Sequence, residues 1–355
     1  MKIVYILNKS VLSGPNIVAL TNAEQLNRMG HDVSVLFVKS GTTLYEHFPF
    51  LENVRVVNID KSNLFASFKK LRNEISKLRP DIIHSHCFIP DLLNVGLKLL
   101  SLSKITKYVT TVHNIPAEDY CIRYGIFKGR LLLLAHELLI SLFDKVVCIS
   151  DTVKDNLKSK NTHVIYNPVR YPFFDDSKQY NSSLVIAYCG HFSKLKNPMK
   201  IIVHLMNSSV DFKFLGIGDG PLLLECKKLV EADERFIFTG RVEDVHNYYK
   251  KANCLIHFSQ TEGFCLSVAE ALASEMYVIT NDVPVFSELK NKLRADSIYI
   301  LNELDQSSID NALESISAKI LDDEVKLKRI AKSTYDLLSP KQIAFAHEEL
   351  YLKLI

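Results

Sequence analysis

Apolar residues occur along this chain in short runs separated by longer mixed stretches. In the first half "KIVYIL", "DVSVLFV", "VRVVNI", "DIIHSHC", "YVTTVHN", "KVVCIS" and "HVIYNP" are each strand-sized, and most are separated by segments long enough for a crossover helix. Continuous apolar runs alternating with helix-length segments predict a parallel α/β sheet, whose strands are covered on both faces. The stretch "NPVRYPFFDDSKQYNSS" breaks the rhythm with two prolines, adjacent acids and polar residues, and reads as a linker. After it, "LVIAYCG", "FKFLGIG", "RFIFTG", "CLIHFS", "YVITND" and "SIYIL" repeat the alternation, followed by helical material to the end. Two domains of similar architecture are expected, at residues 1–170 and 171–339, with a helix at about 340–355 packing back onto the first.

In open parallel sheets, ligands sit beyond the carboxyl ends of the strands. The distinctive residues of this chain fall there: Gly14, His84, His86, His113, Gly190, Gly216, Gly218, Gly220, Gly240 and Glu262. If the two sheets face each other by these edges, a single interdomain cleft collects them.

Composition narrows the function classes. With 355 residues, 47% hydrophobic and 23% charged, the chain has the makeup of a folded two-domain protein. No apolar run reaches the length of a signal-peptide core or a membrane span, so a cytoplasmic protein is expected. The seven cysteines are scattered without a C-x-x-C pair, which suggests neither a disulfide framework nor a zinc site. Net charge is only +3, but residues 1–170 hold 22 Lys plus Arg against 14 Asp plus Glu, whereas the remainder holds 21 against 26. The basic excess is densest in "KSNLFASFKKLRNEISKLRPD". There Leu64, Phe65, Phe68, Leu71, Ile75 and Leu78 recur at helical spacing, and Lys69, Lys70, Arg72 and Lys77 fall elsewhere on the wheel. Such a helix is either an ordinary solvated face or a contact for an anionic membrane surface or acidic partner. Nucleic acid is not expected, because no zinc-ligand spacing, basic heptad region or aromatic RNA-binding motif accompanies the charge.

The most informative stretch is "SQTEGFCLSVAEALAS". It reads as a strand-end loop passing into a helix, where Gly263 permits close backbone approach and the first helical N–H groups form an anion site. Glu262 and Glu270 on either side of a bound phosphate would suit a sugar nucleotide, with sugar hydroxyls at one end and ribose hydroxyls at the other. Taken alone, the pair is equally compatible with two solvated glutamates near a helix N-terminus.

The stretch resembles the E-x7-E loop and helix of the retaining glycosyltransferases of family 4, which have the GT-B fold of two facing Rossmann-like domains with an interdomain cleft. The resemblance continues in order through "LSGPNIVALTNAEQLNRMGHDVSVL", "PDIIHSHCFIPDLL", "TTVHN", "CISDTVKDNL", "VIYNP", "GHFSKLKNP", "GIGDGPLLLE", "FTGRVEDVHNYYKKANCLIHFSQTEGFCLSVAEALA" and "DVPVFSEL". It implies that Glu262 contacts donor-sugar hydroxyls, that Gly263, Phe264 and Cys265 offer backbone N–H groups, and that Glu270 holds the ribose. Lys196 corresponds to the family's diphosphate-binding lysine, His113 to its active-site histidine, and Gly14 to a glycine beside the diphosphate. Gly240, Arg241 and Val242 lie where the base is read. The chain departs from the family pattern at His191, where many members have Arg, and at Gly14, where a glycine pair is common. It departs again at Glu275 and Tyr277, which replace the usual glycine and proline.

The implied reaction moves a hexosyl unit from a nucleotide diphosphate sugar to a saccharide or lipid-linked saccharide, with retention at the anomeric carbon. It would serve surface polysaccharide or glycolipid assembly, with the enzyme peripheral on the anionic inner face of a membrane. Neither a cofactor nor a metal is expected, since no D-x-D occurs among the 21 aspartates and Lys196 with helix N-termini can carry the phosphate charge. Two other readings stay open. A nicotinamide-dependent oxidoreductase would need the G-x-G-x-x-G that "LNKSVLSGPN" lacks. A catalytically silent GT-B scaffold subunit is compatible with His191 and the thinned glycine loop, but not readily with Glu262, Glu270, Lys196 and His113 together.

Overall fold

A computed structural model describes residues 1–42, 44–60, 63–101, 105–170, 178 and 183–355. Most of the expected linker, residues 171–177 and 179–182, lies outside the described residues. Contacts divide the chain into two compact units, Met1–Pro168 together with Pro340–Ile355, and Val169–Ser339.

The first unit is built on strands β1 (Lys2–Lys9), β2 (Asp32–Lys39), β3 (Arg55–Asn58), β4 (Ile82–His86), β5 (Lys107–Val112), β6 (Lys145–Cys148) and β7 (Thr162–Val164). They lie in the order β3-β2-β1-β4-β5-β6-β7, each pairing parallel. In β1, Ile3 to Leu7 are buried without interruption, as a strand covered on both faces requires. The chain winds outward from β1 to β3 and then returns across β1 to β4, so the loops after β1 and β4 diverge and leave a crevice at their carboxyl ends. The helix Pro340–Leu352 belongs to this unit, with Ile343, Ala344, Leu350 and Tyr351 in one core with Ile3, Tyr5 and Ala19.

One expectation fails in the helix Leu64–Leu78, whose start is capped by Asn63 accepting from the Ala66 N–H at 2.8 Å. Leu64 and Phe65 are exposed, Phe65 at 79%, while Ser67, Leu71 and Glu74 face inward. The inward carboxylate is stable because Arg55 and Lys77 donate to it at 2.6 and 2.8 Å. Lys70 is likewise engaged, donating to the carbonyls of Asn58 and Ile59 beyond β3. Two of the four cations expected on a free basic face are thus tied to the protein itself.

The second unit carries β8 (Leu184–Cys189), β9 (Phe212–Ile217), β10 (Phe236–Gly240), β11 (Cys254–His257), β12 (Tyr277–Asn281) and β13 (Ile298–Leu301). Their order is β10-β9-β8-β11-β12-β13, again all parallel, with the switch point between β8 and β11. The loops beyond β8 and β9 pack so closely that a Cβ on Gly218, at φ +130°, would stand 2.0 Å from the Gly190 carbonyl oxygen. Only glycine fits there.

The first unit buries three neutral histidines that make it acid-sensitive. His84, His86 and His347 are at most 5% exposed. Burial, reinforced by neighbouring histidines, pushes His84 and His86 well below the usual range, and burial holds His347 at about 4 against the opposing hydrogen bond to the Ile343 carbonyl. A depressed folded pKa means that the unfolded chain takes up protons first, so the contribution of these three groups to stability is constant above about pH 6.5 and falls below it, by up to about 1.4 kcal/mol per pH unit for each group. Urea midpoints followed by circular dichroism should therefore drop steeply between about pH 6.5 and 5, with a shallower drop in His347→Gln. A flat profile across that range would contradict the assignment.

Candidate active site

The second unit concentrates the chemistry at the carboxyl ends of β8, β9, β10 and β11. Two loops there are joined before any side chain meets. Gln260 N–H donates to the Leu195 carbonyl at 2.9 Å, and the Ser259 hydroxyl donates to the same oxygen at 3.2 Å. Asn281, at the end of β12, accepts from the Ser259 N–H at 3.0 Å and donates to its carbonyl at 2.8 Å. This lattice sets the turn Lys194–Lys196 against the loop that follows β11, and Lys196 Nζ reaches Glu262 Oε1. His257, the last residue of β11, meets the same carboxylate oxygen through Nε2 at 2.8 Å.

The electrostatics follow from burial and pairing. Glu262 is 8% exposed and His257 1%. Burial alone would raise the Glu262 carboxyl, but Lys196 and His257 overcome it and hold the group at about 2. For His257, burial opposes the charge, yet Cys265 and Glu262 beside it raise the imidazole to about 9. With His257 protonated, the Glu262 carboxylate stands between two cations. His257, Glu262 and Cys265 bring potential ligand atoms within 4.8 Å of one another. A divalent cation there would have to displace the Lys196 ammonium and the His257 proton, so the charge pattern suits an anion better.

The helix Leu266–Ala273 begins directly after this cluster. Its N-cap, Cys265, has φ +68° and no side chain caps the helix, which leaves first-turn N–H groups for a ligand. Glu270 lies little more than one turn into the helix, nearer its start than two turns would place it, and is partly exposed. Burial pushes it up to about 7, opposed by Arg170. Gly263 and Phe264 are buried, Phe264 to 1% exposure, so any contribution from Phe264 is through its backbone. On the neighbouring loops, His191 and Arg241 converge on Asp219 at 3.5 and 3.8 Å. All three side chains are more than half exposed. Gly240 closes β10 at φ +70°, and Val242 follows partly buried.

In the first unit, Gly14 opens the helix Gly14–Arg28, and a Cβ there would meet nothing within 4 Å. His113 follows β5, its Nε2 2.8 Å from His86 Nδ1. The rings of His84, His86 and His113 run in series with centroids 4.6 and 5.1 Å apart. His84 anchors the series through the Tyr351 hydroxyl at 2.6 Å and the Thr111 hydroxyl at 2.7 Å. Burial takes His113 down to about 3, so at neutral pH it is an uncharged hydrogen-bonding group.

Sequence reasoning missed His257 and Asp219. His257 sits in the run "CLIHFS", where a histidine reads as a tolerated core residue; its being the one ionisable group in that strand apart from Cys254 was the available signal. Asp219, between two glycines in "GIGDGP", was legible as a loop acid but had no partner assigned.

The model of Glycosyltransferase Family 4 matches residues 12–171, and that of Glycosyl transferases group 1 matches residues 171–336. The O-antigen biosynthesis glycosyltransferase WclY of Escherichia coli is 26% identical over 315 residues, 82% of this chain and 83% of that protein. A Campylobacter jejuni enzyme, an α-1,4-N-acetyl-D-galactosaminyltransferase named for an undecaprenol-diphosphate-linked acceptor, is 24% identical over the whole of this chain and 98% of its own. Among solved structures, Anabaena HepE in complex with UDP-glucose superposes with a TM-score of 0.80 at 14% identity, covering 99% of this chain and 100% of that one. The lipopolysaccharide outer core galactosyltransferase WaaB does so with a TM-score of 0.70 at 17% identity, covering 99% and 100%. The two family models together span residues 12–336, and the chain belongs to the family 4 glycosyltransferases and has their GT-B fold.

Proposed function

We propose that this glycosyltransferase moves a hexosyl unit from a nucleotide diphosphate sugar to an acceptor hydroxyl with retention of anomeric configuration. The observation that carries the donor class is the Lys196–Glu262–His257 cluster beside an uncapped helix start, with Glu270 about one turn along that helix. A diphosphate matches the cation and the helix N–H groups, and the two carboxylates can accept from hydroxyls on either side. Lys196 then faces the leaving group, where negative charge develops. His113, uncharged at neutral pH, corresponds by the family resemblance to an active-site histidine.

Retention rests on the family resemblance. A double displacement would need a carboxylate nucleophile. Glu262, with one oxygen engaged by two cations, is better suited to accepting from hydroxyls, so the reading favours a front-face path. UDP-sugars are the first donors to test, given the ligand of HepE. UDP-hexoses and UDP-N-acetylhexosamines both belong in the panel, because relatives carry the names of both sugar classes. A saccharide or lipid-linked saccharide acceptor, in surface polysaccharide or glycolipid assembly, is supported by the names of the O-antigen and undecaprenol-linked relatives. The deciding experiment measures nucleotide diphosphate release from UDP- and GDP-sugars in EDTA, with and without acceptor. Release from none of them by folded protein would favour the silent scaffold.

Two substitutions separate binding from turnover. Glu270→Ala should weaken donor binding by about tenfold or more, because charge-assisted hydrogen bonds of roughly 1.5–3 kcal/mol are lost. Lys196→Ala should act chiefly on kcat. Unchanged donor affinity in the first variant would remove Glu270 from the site, and unchanged turnover in the second would move the phosphate contact elsewhere.

The charge on His257 adds a pH test. Because its folded pKa is raised to about 9, the imidazolium persists through neutral pH and is lost above that value. Affinity for a nucleoside diphosphate should therefore decline as pH rises through about 9. His257→Gln should bind more weakly at neutral pH and lack that decline. If the variant showed the same alkaline limb, the titrating group would lie elsewhere.

A further inference from the structure

Lys178, within the expected linker, reaches into the second unit with its ammonium. It donates to three backbone carbonyls, those of Tyr249 at 2.9 Å, Ala252 at 2.7 Å and Ser274 at 2.9 Å. An ammonium has three protons to give and no lone pair, so three carbonyls satisfy it completely. The residues that supply them are buried, none more than 4% exposed. Burial pulls the Lys178 ammonium down to about 7 although the Glu275 carboxylate opposes it, so the charge depends on the acceptors around it.

The three carbonyls come from helix ends. Tyr249 closes the helix His246–Tyr249, Ala252 follows in the next turn, and Ser274 is the C-cap of the helix Leu266–Ala273. Carbonyls at a helix carboxyl end lack intrahelical partners and carry the negative end of the dipole, which makes the meeting point of two such ends a place for a cation. The helix Leu266–Ala273 is the one that starts beside Glu262 and carries Glu270, and the Ser274 hydroxyl donates to the Glu270 carbonyl at 2.7 Å. Lys178 is thus joined to the backbone of Glu270 through a single residue.

Glu275 shows the same demand from the other side. It has φ +58°, and its N–H and that of Met276 close the helix on the carbonyls of Leu272 and Ala271. Helices closed in this way usually place glycine at that position, because a side chain strains it. Here a glutamate stands there instead, 5% exposed, and its carboxylate acts on the Lys178 charge. A buried acid at a position suited to glycine is accounted for by the cation beside it.

We propose that Lys178 is a built-in monovalent cation, which fills a site formed by three helix-end carbonyls and Glu275, anchors the linker to the second unit and positions the helix that carries Glu270. It is a positioning residue, acting through Ser274. The anchor stands on the three hydrogen bonds, whereas its consequence for the donor rests on the proposed seat of a diphosphate at the start of that helix. A site built this way accepts a free ammonium ion in place of the side chain and refuses a bulky quaternary one.

The test uses the full chain in two arms. Labelling of the native protein with an amine-reactive N-hydroxysuccinimide ester, read by mass spectrometry, should leave Lys178 protected while the exposed Lys69 and Lys128 react. Labelling of Lys178 as fast as theirs would overturn the anchor, and this arm needs no substitution. In the second arm, UDP affinity of folded Lys178→Met is measured by calorimetry in ammonium chloride and in tetramethylammonium chloride at equal ionic strength. The variant should bind UDP about tenfold more weakly than wild type in the tetramethylammonium salt, and ammonium should restore most of that loss, with wild type alike in both salts. No loss, or a loss that ammonium leaves in place, would overturn the positioning role. Protection of Lys178 in a wild-type protein that binds no UDP in either salt would uphold the anchor and defeat the donor reading instead.

Discussion

A carboxylate stays ionised inside a folded domain only if cations stay with it, and Glu262 is kept by two, Lys196 and His257. Much else in the second unit can be traced to that requirement. Lys196 must come from the loop after β8 and His257 from the end of β11, which are neighbouring strands at the switch point, so the sheet order brings the partners together. Ser259, Gln260 and Asn281 then fix the loops at hydrogen-bond distance. Removing the carboxylate from such a set would leave the buried His257 charge uncompensated, at a cost of about 3–5 kcal/mol.

The first unit solves a related problem in the opposite way. Its polar groups at the strand ends are neutral: His84, His86 and His113 stand in series, tied to Tyr351 and Thr111, with burial keeping them uncharged. Tyr351 comes from the helix Pro340–Leu352, at the far end of the chain, so this helix is a structural element of the histidine series as well as of the core. The strand-end groups of the two units thus differ in electrostatics, charged and paired in the second unit and buried and uncharged in the first.

How much of this was legible in the sequence depends on whether local pattern or tertiary contact decides a feature. Parallel strands covered on both faces must be apolar throughout, and each of the strand-sized runs is a strand in the sheets, within a residue or a few at the ends. The E-x7-E stretch was legible because loop, glycine and helix lie in sequence. Pairings between distant loops were not. Nothing local says that Lys196 and Glu262 share a contact, or that His257 is charged, because a histidine in an apolar run looks like core until its neighbours are known. The helix Leu64–Leu78 misleads for the converse reason. Its apolar spacing suggests an inward Leu64 and Phe65, but partners on β3 and the helix itself allow Glu74 to point inward instead. The helix Ile126–Ile140, apolar on both sides, has the pattern of a fully buried helix, and only its neighbours' positions reveal that one side is open.

Backbone strain marks the same places from another direction. Cys87, directly after β4 and ahead of the helix Phe88–Leu99, has φ +74° and ψ 160°, a region essentially reserved for glycine. Cys265, two residues after Gly263 and ahead of the helix Leu266–Ala273, has φ +68°. Each non-glycine residue so held costs about 1–3 kcal/mol, which the surrounding packing must offset. In both units the strained residue sits where a central strand hands over to a helix, beside His86 in one and beside His257 and Glu262 in the other. In both units, then, a strained residue marks the hand-over from a central strand to a helix beside buried ionisable groups, so that local backbone strain and buried polar chemistry coincide at the same strand ends.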